Sequence, residues 1–441
     1  DQDGPIFSAY PNLLNYELAA PGTGIMSSVP NGGYRTLTGT SMASPLVAAA
    51  TAAALAVGIV AIATPATAAV DICKAKNVKE ACGLDNLVKL AKKEGKLALI
   101  TTPRDWANYG AIHDAYEKAF GVKIFVDNPD GSSQYEIDTM KTAPKSKQPD
   151  SIDIGPLVVA QLTPPGSKPL SSPYQVINWN DIPNAAKDST GLWYGNYGGK
   201  LAIVYNTTLP SVPTKASDFA KPEYKGFVGI TRDPTSSNQA FMSVLAASIG
   251  NGGEKNLSDV TKGLALFKAV KAQAPLVKVN GTNLATGTAK LGFMWDFNAL
   301  GIIPAAKAAG LDLKFVYPTD FVLQAPPYIN AINIKSPNCA NARLWQEFVY
   351  SQNTGKTAKD LTAADLKLPG SKLFALMQGG QNYFQQSGAD PIMSAAMTKK
   401  KILVPSLLDF KVPATAKVVG PATISDVLSA REQVISSWAS L

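Results

Sequence analysis

Ser41 stands in Gly39-Thr40-Ser41-Met42-Ala43-Ser44-Pro45, where turn residues run into an apolar, helix-forming stretch. A serine hydroxyl so placed acts as a nucleophile only when a base lies within hydrogen-bond reach and a third group orients that base. The chain holds one histidine, His113, and it sits in the helical pattern YGAIHDAYEKAF, far from Ser41 in sequence. Ser41 has the setting of a nucleophile without its partners, so no catalytic residue is assigned. The three cysteines, Cys73, Cys82 and Cys339, show no C-x-x-C spacing, and one histidine does not complete a zinc site. Neither a metal nor a cofactor is expected. Cys73 and Cys82, nine residues apart, are near enough to close a loop in an oxidising compartment.

A second group of residues suits ligand binding. After GKLALITTP come Arg104, Trp106, Asn108 and Tyr109; after VGITRD come Ser236, Ser237 and Asn238; after LGFM come Trp295 and Asp296. Asp153 lies in SIDIGP, Trp193 and Tyr194 in WYGNYGG, and Tyr328 in APPYINAINI. In open α/β sheets, ligands collect at the carboxyl ends of strands, where helix N-termini aim backbone N–H groups at them. By that rule the helix start at Ser236–Asn238 and the forked cation of Arg104 face each other around an anionic group, with Trp106, Trp193 and Trp295 as apolar walls. Each residue has a structural alternative. Trp106 and Trp295 suit a lobe core, Ser236 and Ser237 suit helix caps, and Asp296 suits a cap or an ion pair. Asp153 suits backbone N–H groups, and Tyr328 suits a turn stiffened by Pro326 and Pro327.

The elements that must position these residues alternate between strand and helix. GKLALITTP reads as a buried strand, GAIHDAYEKAFG as an amphipathic helix and VKIFVDNP as a second strand, a βαβ opening. GFVGITRD followed by PTSSNQAFMSVLAASIG repeats the grammar, and KLGFMWDFNAL and LKFVYPTD add strands. Two such units joined by extended segments predict two α/β lobes about a cleft, each a mostly parallel sheet flanked by helices. WYGNYGGKLAIVYN carries the first crossing and VLQAPPYINAINI the return, with Gly195, Gly198 and Gly199 free to absorb dihedral change. Lobe 1 is expected over 71–195 with parts of 325–441, and lobe 2 over 196–324. The net charge of +8 comes from lysines scattered along the chain, which argues against nucleic acid and for a mild preference for anionic small ligands. Thr36–Val70 holds no charged residue, and Leu46–Ala63 is almost wholly apolar. It ends in ATPATAAVD, where small residues after Pro65 fit export cleavage near Ala68 or Ala69. The segment 46–70 is thus expected to be a signal, with the mature chain beginning near Val70–Asp71.

Two family resemblances attach to these stretches. APGTGIMSS followed by YRTLTGTSMASPLVAA resembles the C-terminal part of the subtilase catalytic domain, over about residues 1–50, with Ser41 at the nucleophile position. The usual histidine after Pro45 is Leu46 here. Fifty residues are too few for that enzyme's core, so the piece is expected to be an inactive remnant. From EGKLALITTPRDWANYGAIHDAYEKAFGVKI onward, over about 84–441, the chain resembles the extracellular solute-binding proteins of ABC importers. The likeness is to the two-lobed (type II) group that takes iron, polyamines or phosphonates. It implies an exported, periplasmic or cell-surface receptor, a monomer, closing on one small solute and delivering it to an ABC permease. Iron-binding relatives commonly use an adjacent tyrosine pair, which Tyr194, Tyr197 and Tyr328 do not form.

No peptidase activity is expected. Purified full-length chain should leave casein and chromogenic peptides intact, and hydrolysis abolished by Ser41→Ala would overturn this reading.

Overall fold

The computed structural model describes residues 25–29, 33–37, 71–253, 256–280, 283–284, 286–403 and 412–441. The chain divides into two compact units, Asp1–Ala69 and Val70–Leu441. In the first, strands Ile25–Val29 and Gly33–Leu37 pair antiparallel in a hairpin, with Ser27 opposite Arg35. Ser41 and the apolar segment 46–70 lie outside the described residues. Among the described residues, no helix is long and apolar enough to cross a membrane.

The second unit begins as the hydrophobic pattern predicts. Strands Lys96–Ile100 and Lys123–Asp127 are parallel and joined by the helix Tyr109–Phe120. That helix buries Ile112, Tyr116, Ala119 and Phe120, at the spacing of one helical face, and ends at Gly121 in the left-handed conformation. Each such large side chain contributes roughly 1.5–3 kcal/mol on burial. Next to this pair, Ser151–Ile154 joins Ile329–Asn333, which also receives Ser171–Ser172 and Tyr194–Gly195. Asp150 links the two sets of strands. Its carboxylate accepts from the N–H groups of Ala98 (2.7 Å) and Asn338 (2.8 Å) and from the Ser336 hydroxyl (2.7 Å).

Lobe 2 is a five-stranded sheet in the order Val277–Lys278, Val228–Ile230, Leu291–Trp295, Leu201–Asn206, Leu313–Val316. The helix Asn238–Ser248 is buried along its whole length against this lobe. The lobe 2 sheet is mixed, and in lobe 1 the four strands centred on Ile329–Asn333 pair antiparallel beside the separate parallel pair, where mostly parallel sheets were expected. Leu201–Asn206 and Ile329–Asn333 are the strands that carry the chain into and out of lobe 2, and both run antiparallel to their neighbours. The crossings are tied together: Lys200 pairs with Gln324, and Lys200 Nζ meets the Asp390 carboxylate at 2.7 Å. The C-terminal part of the chain serves both lobes. Lys417–Val419 extends Phe321–Leu323 in parallel, and the helix Ile424–Ser437 packs on Asn238–Ser248 and on Pro156–Leu162 of lobe 1.

The disulfide differs from expectation. Cys73 bonds to Cys339, 266 residues away, and Cys82 is a free, exposed thiol. Sequence distance misled, because the fold brings the start of the lobe to the helix Cys339–Val349. Buried Arg343 on that helix donates to the carbonyls of Cys73 (2.5 Å), Ala75 (2.8 Å) and Cys339 (3.1 Å). Cys82 instead closes a tight turn, at φ 58°. A native disulfide of this kind stabilises by about 2–4 kcal/mol. Alkylation of unreduced, denatured chain should therefore label Cys82 alone, and Cys73→Ala/Cys339→Ala should melt several degrees lower while Cys82→Ala does not. Labelling of Cys339 without reduction would refute the pairing.

Candidate functional site

Strand ends from both lobes surround one cavity of about 100 Å³, continuous in its lining with a second of about 140 Å³. Lobe 1 contributes Thr101, Trp106, Ser132, Ser133, Glu136 and Asp153. Lobe 2 contributes Thr231, Arg232, Ser237, Asn238 and Gln239, and Tyr328 enters from the return crossing. Two helices begin at its wall, Ser133–Thr142 and Asn238–Ser248. Ser237 holds the N-cap position of the second, yet its hydroxyl makes no capping bond. The N–H groups of a first helical turn have no partner within their own helix, so this end offers donors to an anion.

The backbone around the cavity is unusual. Thr101, Ala107, Asn108 and Asn128 all have positive φ, at 50°, 46°, 68° and 37°, and all lie in the two loops that follow the parallel strands. Non-glycine residues rarely adopt this region, and such strain concentrates at functional sites. Two carboxyls lie beneath these loops. Glu136 accepts from the Thr101 hydroxyl and from the Asp153 N–H (2.9 Å). Asp153 Oδ2 accepts from Tyr197, whose hydroxyl oxygen accepts in turn from Trp106 Nε1, both bonds being 2.7 Å. Asp153 Oδ1 is buried and makes no bond of full hydrogen-bond geometry, with Tyr109, Asn196 and Asn330 as the polar side chains beside the carboxyl. Burial pushes the Asp153 carboxyl up to about 7, against the hydrogen bond from Tyr197 that lowers it. Burial also raises Glu136 well above the usual carboxylate range, against the bonds from Thr101 and the Asp153 backbone.

The lobes touch where glycine permits it. A Cβ on Gly155 would lie 2.2 Å from Asn238 Cβ, and one on Gly301 would lie 2.7 Å from the Asp105 carbonyl oxygen. Asn238 is almost wholly buried with its amide beside the Tyr328 hydroxyl, and neither its Oδ1 nor its Nδ2 makes a bond of full hydrogen-bond geometry; nor does Thr231 Oγ1. Arg232 is half-buried, and no described residue forms an ion pair or hydrogen bond with its guanidinium.

Of the residues singled out by sequence, Trp106, Asp153, Ser237, Asn238 and Tyr328 meet at this cavity. The others do not line it. Arg104 is exposed and paired with Asp114 at 2.7 Å, so Arg232 is the cleft's cation. Asn108 caps the helix Tyr109–Phe120 and donates to the Tyr383 carbonyl, while Tyr109 is buried against Tyr197, Trp345 and Phe384. Trp193 packs on the core, and Tyr194 meets Trp179 and Tyr350 edge to face. Ser236 bonds back to the Asp233 carbonyl. Trp295 supports the site from behind, donating from Nε1 to the Tyr328 hydroxyl at 3.2 Å. Asp296 is a buried cap, accepting from Tyr317, Phe297 and Lys200, and burial pushes it up to about 6. Among the described residues, no group of three His, Cys, Asp or Glu side chains could hold a metal ion.

Residues 166–384 match the family of bacterial extracellular solute-binding proteins. Residues 5–86 match the subtilase family. The solute-binding region has the two-lobed fold of periplasmic binding proteins. The structure is similar to the periplasmic binding protein AfuA from Actinobacillus pleuropneumoniae, solved with exogenous fructose-6-phosphate bound. The identity is 18%, the TM-score 0.55, and the match covers 79% of this chain and 98% of that one. It is similar as well to the ferric binding protein from Campylobacter jejuni (16% identity, TM-score 0.50, covering 78% and 98%). AgtB from A. tumefacien R10, in complex with agropinic acid, gives 16%, 0.50, 78% and 98%. No curated protein matches the chain in sequence.

Sequence reading missed Thr101, Ser132, Ser133, Glu136, Thr231, Arg232 and Gln239, which also line this cavity. Two signals for them were present. DGSSQYE repeats the paired serines of PTSSNQA after a strand, which marks a second helix start at the cleft. Arg232 follows its strand as directly as Arg104 follows its own, and only the fold separates the cation that turns inward from the one that turns out.

The Gly155 contact yields a test. Gly155→Ala should hold the lobes apart, because the atoms met include Asn238 Cβ, which has no freedom to swing away. Small-angle scattering should give a larger radius of gyration than for the unsubstituted chain, with a melting temperature changed by only a few degrees, since neither lobe core is touched. Identical scattering curves would mean that this contact does not limit closure.

Proposed function

We propose that this chain is an exported, non-enzymatic receptor that closes its two lobes on a small organic solute bearing an anionic group and delivers it to an ABC permease. The observation that carries the reading is the lobe 2 wall of the cleft. There the unpaired guanidinium of Arg232 stands with the uncapped helix start at Ser237 and Asn238. A forked cation and free helix N–H groups together recognise a carboxylate or a phosphate. The extracellular solute-binding family match supports export, and delivery to a permease follows from the resemblance of the sequence.

The absence of enzyme chemistry is supported by the chain's base inventory. The single histidine, His113, is buried between Tyr109 and Trp345, and burial pushes it down to about 4. A core imidazole of that kind is no general base for Ser41 or for a cleft serine.

Native mass spectrometry of full-length chain recovered from the periplasm or the medium tests the reading. An adduct of one small acidic organic molecule is expected. Arg232→Ala should lose it, with affinity for that molecule about thirty-fold weaker by calorimetry, as loss of a charged hydrogen bond of about 2 kcal/mol requires. The unliganded melting temperature should be unchanged. An adduct equally retained in Arg232→Ala would remove this wall from the binding site.

A further inference from the structure

The lobe 1 wall of the same cleft carries the opposite sign. Glu136 and Asp153 are both almost wholly buried, and the Asp153 N–H bonds to Glu136. No described lysine or arginine pairs with either carboxyl. Buried carboxyls are ordinarily matched by a cation, because leaving a charge desolvated and unpaired costs several kcal/mol. Both oxygens of Glu136 have donors, and so does Asp153 Oδ2. Asp153 Oδ1 makes no bond of full hydrogen-bond geometry, and the side chains beside this carboxyl, Tyr109, Asn196 and Asn330, are neutral and bring it no positive charge. Across the cavity, Arg232 has no anion, and neither amide atom of Asn238 makes a bond of full hydrogen-bond geometry. Each lobe therefore lacks what a ligand of the opposite polarity would bring.

We propose that the solute is a zwitterion, an amino acid in the broad sense, whose ammonium group rests on Asp153 Oδ1 and whose acid group rests on Arg232 and the Ser237–Asn238 helix start. The inference builds on the receptor reading above and adds the positive end. It also explains the division of labour between the lobes: the acid of lobe 1 and the cation of lobe 2 are bridged only when one molecule spans the closed cleft. A dianion would meet Asp153 and Glu136 without a counter-charge, and a dication would meet Arg232. The cavities, of about 100 and 140 Å³, hold a compact molecule.

The experiment is a thermal-shift and calorimetric comparison on the full chain with probes matched in size. The standard α-amino acids and β-alanine serve as zwitterions, succinate and glutarate as dianions, putrescine and cadaverine as dications, and propionate as an acid without an amine. At least one zwitterion should raise the melting temperature and bind at least about thirty-fold more tightly than its deaminated analogue. Asp153→Asn should weaken that zwitterion by a similar factor and change the deaminated analogue less than about twofold, a pattern that a merely structural role for Asp153 would not produce. If Asp153→Asn melts too low to use, Arg232→Ala supplies the second arm. It should weaken the zwitterion and its deaminated analogue alike. A dianion that binds best and depends on Arg232 would keep the receptor and sink the zwitterion. A dication that binds best, unchanged zwitterion affinity in Asp153→Asn, or no shift from any zwitterion would sink it too. Failure of the receptor itself is a separate result: a full chain that carries no small-molecule adduct and binds none of the probes.

Discussion

The contact between Gly155 and Asn238 is the constraint on which the cleft depends. Gly155 follows the strand Ser151–Ile154 of lobe 1, and Asn238 opens the buried helix of lobe 2. Because Gly155 has no side chain, the helix start reaches the lobe 1 sheet, and the strand ends of both lobes converge on one small cavity. Asp153 lies two residues before that glycine and Ser237 one residue before that asparagine. The close approach therefore places the two polar walls opposite each other. A larger residue at 155 would leave two sound lobes and no shared site.

Behind the walls, aromatic residues make the placement rigid. Trp106 donates to Tyr197 and Tyr197 to Asp153, so the orientation of the carboxyl is set by a relay from the strained loop at 101–108. Tyr197 stacks on Tyr328 with ring centroids 5.4 Å apart, and Trp295 bonds to Tyr328 from the lobe 2 side. Tyr197 lies on the outgoing crossing and Tyr328 on the returning one. The cavity wall and the two crossings thus share residues, so a contact made at Asp153 would be coupled to both crossings.

Much of this was legible in the sequence, and its limits have physical causes. The βαβ opening, both crossings and the helix start after VGITRD follow from hydrophobic period and cap chemistry, signals confined to a dozen neighbouring residues. Asp153, Ser237 and Tyr328 lie at or beside the ends of strands and helices, which local patterns mark. Arg104 and Arg232 look alike in sequence, each following a strand, and Asp114, ten residues on in the next helix, draws the first away. The disulfide escaped for the same reason: Cys73 and Cys339 are neighbours through Arg343 and the packing of the helix Cys339–Val349, which no local pattern encodes. Glu136 reads as a surface residue of an amphipathic helix, and it is buried because Thr101 and the backbone of Asp153 receive its carboxylate.

The polar atoms buried around the cleft also carry a cost that bears on selectivity. Asp153 Oδ1, both amide atoms of Asn238 and Thr231 Oγ1 are buried without a bond of full hydrogen-bond geometry, and a buried group left unsatisfied costs about 1–3 kcal/mol relative to a satisfied one. A solute that completes these bonds favours closure by its differential affinity for the closed form, while one that only fills the space leaves the cost in place. Selectivity of this type is strict about hydrogen-bonding groups and tolerant about methylenes, since a missing donor strands a buried acceptor whereas a missing methylene leaves a small void. The apolar lining, chiefly Trp106 and Tyr328, then sets size, and the polar groups set identity.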